Sequence, residues 1–282
     1  MWWCPVRLGN GDGNTMLNKL FYWWRLLATG WCFICFSLGG LLIAVFVFPV
    51  INLAYLFSKN QKKNYHRAQA VIHYTFRFFL WQMQMLGIMK MDVQGAEKLQ
   101  SDKAMLILAN HPTLLDVVLL ISMIKHTNCV VKKALFRDPF LGGVLKATGY
   151  INNNGTEAIV DDCVAALKSG DNLIIFPEGT RTVPDQELKF QRGAAHIAAR
   201  SGVDVIPVTI TCEPTTLSKA HKWYHIPPRP FRLRAEVGDP LDIAEIVMTD
   251  EPATVTSRRL TRYIHDYFTK RLEKFGIARA GA

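Results

Sequence analysis

The sequence predicts an α/β fold: a mainly parallel sheet flanked by helices and preceded by an N-terminal membrane-embedded helical segment. Three observations predict it. From Gly95 onward, short apolar runs alternate with amphipathic stretches, the pattern of strands that take turns with helices. Between Leu26 and Ser58 no residue is charged, which exceeds the ~20 apolar residues a helix needs to cross a bilayer. Finally, polar clusters stand just past the ends of two apolar runs, where parallel sheets place their ligands. Half of the 282 residues are hydrophobic, enough to fill one full domain and leave an apolar segment over.

Taken in order, residues 1–15, "MWWCPVRLGNGDGNT", are rich in Gly and Asn and are expected to be an extension without a functional role. Met16 opens a basic and aromatic start, "MLNKLFYWWRLL". Residues 16–90 read as a membrane anchor and an interfacial helix. A long helix is expected over Leu17 to Phe48, with Gly39-Gly40 as a weak point and Pro49 as its end or kink. Asn64 to Met89 is aromatic and amphipathic, with His66, Gln69, His73 and Arg77 at helical spacing, and is expected to lie in the interface. The pair forms either a spanning helix followed by a surface helix or a hairpin that dips into one leaflet. The apolar run is too long for a signal peptide's core and no A-x-A site follows it.

Charge supports the anchor. The chain carries 33 Lys and Arg against 23 Asp and Glu, and no acid lies between Gly13 and Met91. Basic groups beside an apolar helix serve anionic headgroups, at about 1 kcal/mol each, so membrane lipids are the expected partner and nucleic acid is not. Lys59, Lys62, Lys63, Arg67 and Arg77 all follow the run. Their side should be cytoplasmic, with the rest of the chain, at an inner (cytoplasmic) membrane. Six cysteines without regular spacing give no disulfide framework, and Cys32 and Cys35 within the apolar run are expected to pack.

Residues 91–282 form the α/β domain. "AMLILA", "NCVVKK", "NLIIF", "DVIPVTIT" and "FRLRAEVG" read as strands. "TLLDVVLLISMI", "PFLGGVLKAT", "EAIVDDCVAALKS" and "QRGAAHIAARS" read as helices between them, and Ala253 to Phe275 as a closing amphipathic helix.

Two strand ends carry the polar clusters. In "LILANHPTLLD" the strand should stop at Asn110-His111-Pro112 and a helix begin near Thr113, which puts His111 at a strand end and Asp116 in the first helical turn. Thr113 and Asp116 also spell a capping box, so the pair has a purely helical use as well. In "NLIIFPEGTRT" a strand ends at Phe176. There Gly179 permits close backbone approach, Glu178 can accept hydrogen bonds from hydroxyls, and Arg181 can grip a phosphate. An exposed turn with a weak Glu and Arg pair is the plain alternative.

His111 to Asp116 and Phe176 to Arg181 resemble the H-x4-D and F-P-E-G-T-R blocks of the PlsC-type glycerolipid and lysophospholipid acyltransferases. "KKALFRDPFLGGVLKATGY" is similar to the segment between them, and "VIPVTI" to the block that closes the site. The resemblance implies that His111 is a general base oriented by Asp116, and that Glu178, Gly179, Thr180 and Arg181 contact the acceptor. It implies fatty acyl transfer from acyl-CoA or acyl-ACP to a lysolipid hydroxyl, with no cofactor and no metal. Histidine suits the task, since its unperturbed pKa of about 6.5 fits a base at neutral pH. No G-x-S-x-G elbow occurs, which favours direct transfer over a serine acyl-enzyme. Thr113 stands where the family often has serine, and Asn154-Gly155 where it often has Asp-Arg, an arginine thought to hold the acceptor's phosphate. "ITCEPTTLSKAHKWYHIPPRP" more loosely resembles the acyltransferase-like members of aryl polyene lipid clusters. A thioesterase, in which His111 activates water, and a catalytically silent lipid-binding scaffold are the rivals.

Overall fold

A computed structural model describes residues 12–50, 53, 60–138, 141–153, 158–182, 186–247 and 251–276. Seven strands form one sheet in the order β1-β7-β6-β2-β5-β3-β4. They are β1 Met89–Gln94, β2 Met105–Ala109, β3 Thr127–Lys132, β4 Ile151–Asn153, β5 Asn172–Ile175, β6 Asp204–Glu213 and β7 Phe231–Val237. Every pairing is parallel except β6 with β7, so the sheet is mainly parallel, as expected.

β2 shows why the sequence reads this way. All five of its residues are buried, which requires cover on both faces of the sheet. Leu106 and Leu108 point into one core with residues of α5 (Ala158–Lys168), α6 (Arg192–Ser201) and α8 (Ala253–Lys274). Met105, Ile107 and Ala109 point into the other, shared with α1 (Asp12–Leu42), α2 (Gln61–Met85), α3 (Asp116–Met123) and α4 (Gly142–Ala147). The two-residue period of the strand thus divides its side chains between two helical layers. A short helix, α7 (Ala244–Val247), precedes α8.

The N-terminal helix runs further than expected. Met16 to Val50 is one helical stretch long and apolar enough to cross a membrane; its most apolar 18-residue window has a mean hydropathy of 2.5 and is only 11% buried. Pro49 does not end it. Instead the turn widens to π geometry over Ile43–Val47, and Phe48 N–H reaches back to the Ile43 carbonyl. A widened turn accommodates a proline that has no N–H to donate and whose ring crowds the preceding carbonyls.

The second helix both packs into the core and carries an exposed aromatic face. α2 is capped by the Asn60 side chain on Lys63 N–H (3.1 Å) and ends at Met85, and β1 begins at Met89, ahead of the expected boundary at residue 91. Gln69 and His73 of its polar stripe face the protein, whereas Arg77 is exposed. Gln69 Nε2 donates to Asn128 Oδ1 and to the Thr148 carbonyl, both at 3.0 Å, and His73 Nδ1 lies 2.8 Å from the Ile121 carbonyl. Tyr74, Phe78, Trp81 and Met85 point outward. The helix covers the core with Ile72, Phe79, Leu80 and Met83, while Tyr74, Phe78, Trp81 and Met85 stay on the outer surface. β1 was not expected because "MKMDVQ" has no apolar run, and β4 because it is three residues long. Asn154 and Gly155 lie outside the described residues.

Candidate active site

β5, β2 and β6 are neighbours and run parallel, so the loops after Ile175, Ala109 and Glu213 leave the same edge of the sheet. That edge gathers the two polar clusters. Asn110 extends the β2–β6 ladder with its side chain, donating Nδ2 to the Ile210 carbonyl (2.8 Å) and accepting from Ile210 N (2.7 Å). Buried and doubly paired, it fixes where His111 leaves the sheet.

The His111 backbone is clipped to the second block on both sides. Its N–H donates to Glu178 Oε1 (2.9 Å), and its carbonyl accepts from Thr182 N (3.0 Å). Glu178 is therefore a buried brace for the His111 backbone as well as a candidate substrate contact. The imidazole stacks on Phe176 at 4.2 Å between ring centroids and 26° between planes.

Asp116 lies behind the imidazole. His111 Nδ1 and Asp116 Oδ2 are 2.8 Å apart; Thr113 N donates to the same oxygen (2.7 Å) and Thr113 Oγ1 to Oδ1 (2.6 Å). The helix starts at Asp116 rather than near Thr113, because Thr113 Oγ1 turns back to accept from Leu115 N (3.1 Å). Thr113 and Asp116 thus bond each other in a turn ahead of the helix, whose N-cap is Leu115 without a side-chain cap, so they do not form a capping box. Asp116 is fully buried and 15% of the His111 side chain is exposed. Burial raises the Asp116 pKa above its ordinary value, and the hydrogen bonds from His111 and Thr113 oppose that rise. With donors converging on both carboxylate oxygens, the network assigns the proton to His111 Nδ1. Nε2, without a partner among the described residues, is left as the basic nitrogen.

The rest of the second block forms the rim. Gly179 takes φ +68°, which accounts for glycine there, and closes a turn by donating to the Phe176 carbonyl (3.0 Å). Gly179 and Thr180 are exposed. Arg181 Nη1 donates to the Leu217 carbonyl (3.0 Å) and more distantly to that of Ser218 (3.4 Å), leaving Nη2 and Nε without partners among the described residues. Leu217, buried at φ +51°, also accepts from Leu114 N (3.0 Å). Its left-handed backbone is strained for a branched side chain and points the carbonyl at both loops.

The structure therefore brings His111, Asp116, Glu178, Gly179, Thr180 and Arg181 to one edge. Lys132, Lys133, Arg137, Lys189 and Arg192 are exposed. Among the described residues no group of three or more His, Cys, Asp or Glu side chains converges as a metal site would. Asn110, Phe176 and Leu217 were not singled out from sequence. Phe176 was part of the quoted block, but nothing in sequence marks Leu217.

Residues 90–211 match the sequence profile of a family described as Acyltransferase. The chain is 29% identical over 190 residues to a chloroplastic 1-acyl-sn-glycerol-3-phosphate acyltransferase of Brassica napus, covering 64% of this chain and 52% of that one. To the enzyme of the same name from Haemophilus influenzae it is 31% identical over 172 residues, covering 58% and 67%. The chain spans about half the length of the first of these relatives. In fold it is similar to the crystal structure of the 1-acyl-sn-glycerophosphate acyltransferase PlsC from Thermotoga maritima, with a TM-score of 0.62 at 19% identity over 89% of this chain and 97% of that one. On these matches, and with both sequence blocks at one edge of the sheet, the chain belongs to the PlsC-type glycerolipid acyltransferase family.

Proposed function

We propose that the protein is a membrane-associated O-acyltransferase that moves a fatty acyl chain from an acyl-CoA or acyl-ACP thioester to the hydroxyl of a lysophospholipid-like acceptor. In this reading His111 Nε2 removes the acceptor's hydroxyl proton as the oxygen attacks the thioester carbonyl. The C–O bond forms, the C–S bond breaks, and the proton passes to the departing thiolate, giving ester and thiol. Asp116 holds the Nδ1–H tautomer and offsets the positive charge that develops on the ring. Arg181, through its remaining guanidinium donors, and the exposed Gly179 and Thr180 receive the acceptor.

The observation that carries this reading is the 2.8 Å contact between His111 Nδ1 and a fully buried Asp116, with Nε2 unbonded among the described residues. The relatives named 1-acyl-sn-glycerol-3-phosphate acyltransferase support a lysophosphatidate-like acceptor. The long apolar helix supports work at a membrane. There a lipid donor and a lipid acceptor are already concentrated and oriented. The test is thiol release from a long-chain acyl thioester with and without lysophosphatidate. Release that depends on the acceptor and matches ester formation is expected. Release of free fatty acid at the same rate without acceptor would make the protein a thioesterase.

A further inference from the structure

The connection between β6 and β7, residues 214–230, is tied to α1 at two points. Arg25 Nη2 donates to the Pro228 carbonyl (2.9 Å), and the Trp223 ring lies 3.9 Å from the position a Cβ would take at Gly30, its centre 5.8 Å from that of Phe33. The loop leaves the same sheet edge as His111, and its Leu217 carbonyl accepts from both Arg181 Nη1 and Leu114 N. One loop therefore touches the long apolar helix and the rim of the site together.

Its outer surface is cationic and aromatic. No acid stands between Glu213 and Glu236. Lys219, Lys222 and Arg229 are exposed, as are Trp223 and Tyr224. Among the described residues Lys219 and Lys222 reach no carboxylate, and Arg229 meets only Glu213, at 4.0 Å, with both side chains largely in solvent. Lys222 Nζ instead lies 5.7 Å from the centre of the Tyr224 ring. Beside the loop, Leu20, Trp24, Leu27, Trp31, Ile34 and Leu38 recur every three or four residues and form one exposed apolar stripe along α1. An apolar stripe of that length is an interaction surface. Cations and amphipathic aromatic rings next to it are what a bilayer interface takes. A soluble acidic protein would pair with the cations and leave the stripe uncovered.

We propose that residues 219–229 are a second membrane contact beside α1, one that takes anionic lipid headgroups. Lys219, Lys222 and Arg229 meet the negative charge of the headgroups, Trp223 and Tyr224 lie at the boundary between headgroup and acyl chain, and the α1 stripe faces the acyl chains. Because Leu217 belongs to the same loop, the contact sets the Arg181 side of the site against the layer from which a lipid substrate arrives. This contact presupposes the membrane association proposed above and is independent of the acyl-transfer chemistry.

The test is hydrogen–deuterium exchange of the full chain in nanodiscs of phosphatidylcholine alone and of phosphatidylcholine mixed with phosphatidylglycerol. Exchange within 219–229 is expected to be slower in the anionic discs by roughly tenfold or more, a scale that three surface cations support, while residues 16–50 exchange alike in both. High salt should remove the difference, because it screens exposed charges. Lys219→Gln, Lys222→Gln and Arg229→Gln together should remove it too, with exchange in the sheet reporting that the variant is folded; the two discs compared with the wild type decide the matter without it. Equal exchange of 219–229 in the two discs, with residues 16–50 protected in both, overturns the second contact and leaves α1 as the anchor alone. A difference that survives both high salt and the triple substitution overturns the role of the three cations. A chain that enters neither disc overturns the membrane association and this contact with it.

Discussion

Replacing Asp116 by asparagine separates two effects that are usually lost together. Thr113 N and His111 Nδ1 share Asp116 Oδ2 at 2.7 and 2.8 Å. The Thr113 backbone N–H is a donor that cannot rotate away. An amide nitrogen in that place would set donor against donor, so in Asp116→Asn the amide oxygen must take the Oδ2 position. His111 then keeps its Nδ1–H tautomer and loses only the negative charge behind the ring. A charge pair at about 4 Å is worth about 4 kcal/mol at an effective dielectric constant of about 20. At about 1.36 kcal/mol per factor of ten, kcat should fall by about 10²–10³. The assay is thiol release at saturating donor and acceptor, compared with wild type and His111→Ala. A loss below about tenfold would refute the reasoning, since the carboxyl would then contribute no charge to the base. A fall to the His111→Ala level would refute it the other way, by showing that the tautomer was not held.

Other consequences follow from the same geometry. Thr113→Ser keeps the hydroxyl on Asp116 Oδ1 and should leave kcat/KM close to wild type, whereas Thr113→Val removes a hydrogen bond to a charged group worth about 1.5–3 kcal/mol and should lower it by roughly 10- to 100-fold. Arg181→Ala should raise the acceptor KM more than the donor KM in initial-rate measurements; equal increases would remove Arg181 from acceptor binding. Gly179→Ala, forced to φ +68°, should cost about 1–2 kcal/mol in a denaturation experiment, and no loss would mean that the turn relaxes. His126 stacks on His66 at 4.6 Å, and burial, then the neighbouring His66, Lys125 and His73, lower its pKa in the fold. A histidine held neutral stabilises the fold above its unfolded pKa of about 6.5, and that stability is lost as pH falls below it. His126→Phe should therefore show a smaller drop in thermal midpoint between neutral and mildly acidic pH than wild type; an unchanged drop would assign the acid sensitivity elsewhere.

Much of the sheet and the site could be read from sequence because apolar strands and polar strand ends are local signals. β2 and β5 are continuous apolar runs, and His111 and Glu178 come directly after them, so chain order already placed both at the carboxyl edge. What escaped depends on surroundings. α2 carries both polar and aromatic residues, and hydropathy alone assigns the polar ones to solvent. The structure instead satisfies Gln69 and His73 with buried carbonyl and amide partners, while Phe78 and Trp81 face outward. The part played by Leu217 arises from its contact with Arg181, a segment far away in the chain, which no spacing rule encodes.

The central claim is that His111 is the base for acyl transfer to a lipid hydroxyl. The measurement that tests it most directly is ester formation from a labelled long-chain acyl thioester by detergent-solubilised wild type and His111→Ala, across phosphate-bearing and phosphate-free lysolipids. We predict acceptor-dependent ester from the wild type and, from folded His111→Ala, a rate lower by at least about 10². Undiminished transfer by His111→Ala, or no ester with any acceptor from folded wild type, would contradict the account.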